Sequence, residues 1–112
     1  FMARHDSKWT SEAIFNILDN SIKYTPKNGS IKIYVSRTEN YLKITIKDTG
    51  IGISQKDIDK IFTRFWRGET GIAEGTGIGL YLSKKIILLQ NGYIQVVSHL
   101  GKGSTFNIYL PL

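Results

Sequence analysis

A chain of 112 residues with 41% hydrophobic and 21% charged residues sits near the globular average, which excludes a disordered chain and leaves room for one domain over residues 1–112. It has no cysteine, which excludes a disulfide framework and any thiolate metal site and permits an intracellular setting without requiring one. Fifteen Lys and Arg against nine Asp and Glu give a formal charge of +6, but the basic residues are scattered (Lys32, Lys43, Lys47, Lys56, Lys60) rather than blocked, so nucleic acid is not the expected partner.

From Trp9 to Tyr24 the residues Ile14, Ile17, Leu18 and Ile22 recur at helical spacing, with Asp6 or Ser7 upstream as N-cap and Pro26 and Lys27-Asn28-Gly29 as the stop. Ser30 to Thr38 and Tyr41 to Lys47 alternate. They predict an antiparallel hairpin about Glu39-Asn40, with Ile31, Ile33, Val35, Leu42, Ile44 and Ile46 toward a core and a Lys, Tyr and Thr face toward water. Ser54 caps a short expected helix through Ile58 and Ile61 to Phe62, and the glycine-bearing stretch from Trp66 to Thr76 is expected to be a loop. A further helix runs from Gly77 through Ile78, Leu80, Leu82, Ile86 and Leu89 to Asn91-Gly92, and two strands, Tyr93 to His99 and Thr105 to Leu110, close the chain. This order predicts an α+β fold, a two-layer sandwich with three helices on one face of a mostly antiparallel sheet. Aliphatic runs such as Ile86 to Leu89 fall far short of the roughly 20 residues of a membrane span, and Phe1 to Arg4 does not read as a signal peptide, so this piece is expected to be soluble.

Three polar clusters interrupt the pattern. Glu12, Asn16, Asn20 and Lys23 fall within roughly 80° of one another on the first helix, at about 100° per residue. A solvated face is the plain explanation, but asparagine is a poor helix former, and two of them a turn apart suggest a task. A carboxamide oxygen is a hard neutral ligand suited to Mg²⁺ whose shell is completed by phosphates and water, and Lys23 is placed for a phosphate.

Asp48-Thr49-Gly50-Ile51-Gly52 ends a strand. An Asx-turn explains it about as well as a binding role, in which the acid would accept the exocyclic amino group of adenine and repel the carbonyl of guanine. Gly75-Thr76-Gly77-Ile78-Gly79-Leu80 opens a helix whose free N–H groups suit a triphosphate. A polar loop rather than a strand precedes it, which excludes dinucleotide binding, and no Gly-Lys-Ser/Thr ending makes a P-loop. In Phe62-Thr63-Arg64-Phe65-Trp66-Arg67, Phe62 and Phe65 read as hydrophobic anchors, while Arg64 and Arg67 are candidates for phosphate contact. His5 and His99 lack the neighbours of a zinc site or triad.

Together the chain resembles the catalytic ATP-binding domain of sensor histidine kinases, within the Bergerat-fold superfamily that includes type II topoisomerases and mismatch-repair ATPases. Residues 16–25 resemble its asparagine box, 48–52 and 75–80 its two glycine boxes, 62–67 its phenylalanine box, and Gly101-Lys102-Gly103-Ser104-Thr105-Phe106 its closing element.

The resemblance implies ATP and Mg²⁺ as cofactors and a lid over roughly residues 63–76. Asn20 would hold the metal with Asn16 supporting it, and Lys23 and Tyr24 would contact phosphates and lid. Asp48 would read adenine, Gly52 would leave room for the base, and Thr105 would touch the Asp48 side. Gly75, Thr76, Gly77, Ile78, Gly79 and Leu80 would wrap the phosphates, with Gly50, Ile53 and Arg64 also in the nucleotide-binding set.

Hydrolysing branches carry a glutamate base at the position of Asn16. An amide there favours phosphoryl transfer to a side chain, against the alternatives of a topoisomerase- or repair-type ATPase and of a nucleotide-binding module without transfer. The implied partners are a histidine-bearing dimerisation domain of the parent, absent from this chain, and a downstream response regulator. The implied setting is the cytoplasmic side of a membrane sensor.

Overall fold

The computed structural model describes residues 6–63 and 79–112. The elements run α1 (Ser7–Tyr24), β1 (Ile31–Arg37), β2 (Tyr41–Asp48), α2 (Gly79–Leu89), β3 (Tyr93–His99) and β4 (Gly103–Pro111). Asp6 caps α1 by accepting the Trp9 N–H at 3.2 Å. The helix ends where Pro26 forces Thr25 into an extended conformation (φ −102°, ψ 123°), as a residue before proline must be. α2 closes with Asn91 in the left-handed region (φ 64°), while Gly92 N–H reaches the Ile87 carbonyl at 3.0 Å and Asn91 N–H the Leu88 carbonyl at 3.1 Å.

The four strands form one sheet in the order β1-β2-β4-β3, with every pairing antiparallel. Parity sets the faces. Leu42, Ile44 and Ile46 of β2 lie opposite Leu110, Ile108 and Phe106 of β4, and all six are buried with Ile17 and Ile87 from the helices. The outer face carries Tyr41, Tyr93 and Tyr109, with Tyr93 stacked on Tyr109 at 4.3 Å and Lys43 5.7 Å above the Tyr109 ring. Partial burial, then the neighbouring Tyr109 and Tyr41 phenols, hold Tyr93 above the ordinary tyrosine range.

The two-layer α+β expectation holds, with three differences. Ser54 to Phe62 forms successive turns, such as Asp57 N–H to Ser54 C=O at 3.0 Å and Thr63 N–H to Lys60 C=O at 2.9 Å, so two α-helices rather than three stand among the described residues. Ile61 is nonetheless buried, and Phe62 meets Phe106 edge-on at 6.3 Å, the anchor role expected of it.

Ile33 and Val35, expected in the core, are 51% and 54% exposed, because β1 is an edge strand that the helices do not cover. Finally, the buried line of α1 is Thr10, Ala13, Ile17 and Ser21. Ile22 lies roughly 120° round the helix from that line and is 57% exposed. None of the described helices is long and apolar enough to cross a membrane.

Candidate nucleotide site

Asp48 is the last residue of β2 and shares the inward parity of Ile46 and Ile44, so its carboxylate is buried at 5% exposure. An unpartnered carboxylate there would be costly, and two backbone donors offset the cost. Gly50 N–H donates to Oδ1 at 2.8 Å and Ser104 N–H donates to the same oxygen at 3.2 Å. Both bonds converge on one oxygen, and among the described residues no donor reaches Oδ2. The Asx-turn and binding readings are therefore compatible, since the turn fixes one oxygen and leaves the other as an oriented acceptor.

The loop after Asp48 is fixed against the end of α1. Ile51 N–H donates to the Tyr24 carbonyl at 3.1 Å, and a Cβ at Gly50 would collide with that same carbonyl oxygen. Gly50→Ala is accordingly expected to destabilise the domain by about 1–3 kcal/mol, read as a shifted urea midpoint, because backbone on both sides must move. Gly52 has φ 75°, and any side chain there would strike the His99 carbonyl. The room it provides is taken by the β3–β4 turn, which corrects the expectation that its freedom serves a bound base.

Along α1 the motifs meet in sequence. Asn16 Cβ lies 3.8 Å from the Cβ position built at Gly79, the first residue of α2, while Tyr24 abuts Gly50. Asn20 lies between them, about 6 Å along the axis from each by helix rise. Both asparagines are half-buried rather than turned to bulk solvent, whereas Glu12 is exposed. Ser83 Oγ stands 2.9 Å from the carbonyl oxygens of both Ala13 and Gly79, which holds α2 close against α1 at this level.

Beside Asn20, the Ser21 hydroxyl is buried with no hydrogen-bond partner among the described residues. Ser21→Ala removes an unsatisfied polar group and places the best helix former in α1. It is expected to raise stability by about 1 kcal/mol, a gain of several degrees in Tm by calorimetry.

Other expected residues are placed as follows. Lys23 Nζ is 3.1 Å from Asp19, one turn earlier, in a partly exposed pair worth only about 0.3–0.5 kcal/mol. Ile53 and Leu80 belong to the hydrophobic core. Thr105 pairs with Lys47 and Val97 and so lies on the sheet face away from Asp48. The residue opposite Asp48 is Ser104, and it supplies the N–H. The one-residue shift reverses the face, and a β2–β4 register cannot be counted from a turn because the two strands are far apart in sequence. Arg64, Arg67, Gly75, Thr76, Gly77, Ile78 and most of the expected lid lie outside the described residues.

A separate groove of about 490 Å³ is lined by Asp6, Trp9, Tyr81, Leu82, Lys85, Ile86, Leu89 and Gln90. Its walls are mainly apolar, and neither Asn16, Asn20 nor Asp48 is among these lining residues.

The described residues thus bring a buried acceptor, Asp48, to the loop against the end of α1, the helix that bears both amides, and α2 starts beside Asn16. Residues 5–112 match the family described as histidine kinase-, DNA gyrase B- and HSP90-like ATPases, and the chain belongs to that family of ATP-binding domains. Its relatives are sensor histidine kinases. It is 45% identical over 105 residues to the adaptive-response sensory kinase SasA of Synechococcus sp. (strain JA-2-3B'a(2-13)), covering 90% of this chain and 27% of that protein. It is 38% identical over 111 residues to the sensor histidine kinase WalK of Bacillus subtilis (strain 168), covering 95% and 18%. The chain thus spans about a quarter or less of these relatives' length. Among solved structures it resembles the mycobacterial sensor histidine kinase MprB (TM-score 0.89, 27% identity, 97% of this chain and 76% of that one). It also resembles the catalytic domain of histidine kinase ThkA (TM-score 0.82, 27% identity, 96% and 69%).

Proposed function

We propose that this domain binds Mg²⁺-ATP between α1 and the loop after Asp48 and delivers the γ-phosphoryl group to a histidine on the dimerisation domain of its parent sensor kinase. The observation that carries the reading is Asp48, buried, with Oδ1 held by two backbone N–H groups and no donor from the described residues at Oδ2. Such an oxygen suits the exocyclic amino group of adenine. Asn20 and Asn16 present neutral oxygens for a divalent cation, which when bound would neutralise phosphate charge. Among the described residues no three His, Cys, Asp or Glu gather as a metal site.

The chemistry follows from what position 16 lacks. Water needs a base to become a nucleophile, and the Asn16 amide takes no proton. A neutral imidazole nitrogen already carries its lone pair. It forms the N–P bond as the bond from Pγ to the bridging oxygen breaks, and ADP leaves with the electron pair. The chain's own contribution is positioning and charge neutralisation. The domain would then work on the cytoplasmic side, where ATP is, within a membrane-bound sensor that passes phosphate to a response regulator.

Mixing the domain with the separately produced dimerisation domain and γ-labelled ATP is expected to give acid-labile, base-stable phosphohistidine on that partner. Tight ATP binding with no labelled partner would leave a nucleotide-binding module and overturn the transfer reading.

A further inference from the structure

We infer that Ser98 is a positioning residue for base recognition, its single hydroxyl clamping both ends of the loop that carries Asp48. This rests on the reading of Asp48 as the adenine acceptor. Ser98 lies on β3 opposite Ser104 of β4, with 4% of its surface exposed. Three groups surround its oxygen: Ile53 N–H at 2.7 Å, Ser104 Oγ at 2.7 Å and the Gly103 carbonyl at 3.0 Å.

A hydroxyl has one proton and two lone pairs, so the directions can be solved. If Ser98 donates to the Gly103 carbonyl, it accepts from Ile53 N–H and from the Ser104 hydroxyl, and every group is satisfied. If instead it donated to Ser104, both the Ser104 proton and the contact to Gly103 would lose their partners in a buried spot, which is costly. The first arrangement is the one the surroundings select.

Its consequence is a linkage. Ser104 holds Asp48 Oδ1 through its backbone N–H and is itself held through its hydroxyl by Ser98. Ile53, where the loop ends, is held by the same Ser98 oxygen, and Gln55 Nε2 donates to the Ser98 carbonyl at 2.8 Å just beyond. Start and end of the loop are therefore pinned to one point on β3. The separation of the Asp48 carboxylate from the far end of its loop at Ile53 is set there.

The test compares Ser98→Thr with Ser98→Val, which have nearly the same shape and differ in the hydroxyl. By calorimetry, Ser98→Val is expected to bind ATP about 10-fold more weakly than Ser98→Thr, with a lower ATP-to-GTP preference. Affinity for inorganic triphosphate should be equal in the two, which a general loss of structure would not produce. Equal ATP-to-GTP preference in the pair overturns the clamp. Should either variant not fold, amide exchange in the unaltered domain decides. An Ile53 N–H that exchanges slowly, and more slowly with ATP, supports the clamp, and one exchanging as fast as a solvated amide in both states overturns it. Asp48→Asn, run alongside, separates the two readings. An unchanged preference there overturns the adenine assignment itself, whereas a collapsed preference there with an intact one in Ser98→Val overturns only the clamp.

Discussion

Asp48→Asn is expected to lower ATP affinity by about 10- to 100-fold while the domain stays folded. The substitution is informative because of how the carboxylate is used. Its structural bonds, from Gly50 and Ser104, go to Oδ1, and an asparagine carbonyl oxygen can accept both. The amide nitrogen then takes the place of Oδ2 and points a donor at the adenine amino group, which is also a donor. A matched pair becomes a clash of like groups, while the penalty for GTP is smaller because guanine offers an oxygen there. Titration calorimetry with ATP and GTP reads the shift; an unaltered preference would remove Asp48 from base recognition.

Asn20→Ala is expected to reduce phosphoryl transfer by about 100-fold in the presence of Mg²⁺. Nucleotide binding without metal should change far less. Alanine is a better helix former than asparagine, so α1 is not weakened by the exchange and loss of activity cannot be charged to unfolding. Asn20 sits half-buried on α1 between the contact with Gly79 and the contact with Gly50, where a small neutral oxygen can reach a cation without bringing charge into the fold. Labelled-phosphate transfer measured over a Mg²⁺ series checks it. Parent-like transfer in the variant would mean that the metal is held elsewhere.

Much of this was legible in the sequence wherever the physics is local. The N-cap at Asp6 or Ser7, the stop at Pro26, the two-residue turn at Glu39-Asn40 and the exit at Asn91-Gly92 are set by a few neighbouring residues, and all four stand in the structure, with Asp6 as the cap. What was not legible depends on tertiary packing. Ser54 to Phe62 has a helical spacing of apolar residues, yet Ile61 and Phe62 reach the core from successive turns. Ile33 and Val35 alternate correctly, but an edge strand buries its inner face only if something lies over it.

The site divides in the same way. Asp48 as an oriented acid and the two amides on one side of α1 follow from spacing. Ser104 and Ser98 do not, because their roles arise from pairings of β4 with β2 and β3 that fix who faces Asp48. A serine in a strand gives no local sign of supporting a loop some 45 residues away in sequence.

The most direct test of the central claim is a crystal structure of the domain with Mg²⁺ and a non-hydrolysable ATP analogue. The adenine amino nitrogen is expected about 3 Å from Asp48 Oδ2 and the metal about 2.1 Å from Asn20 Oδ1, on one nucleotide. A base lodged in the apolar groove between Trp9 and Tyr81, with Asp48 Oδ2 left without a donor, would contradict it.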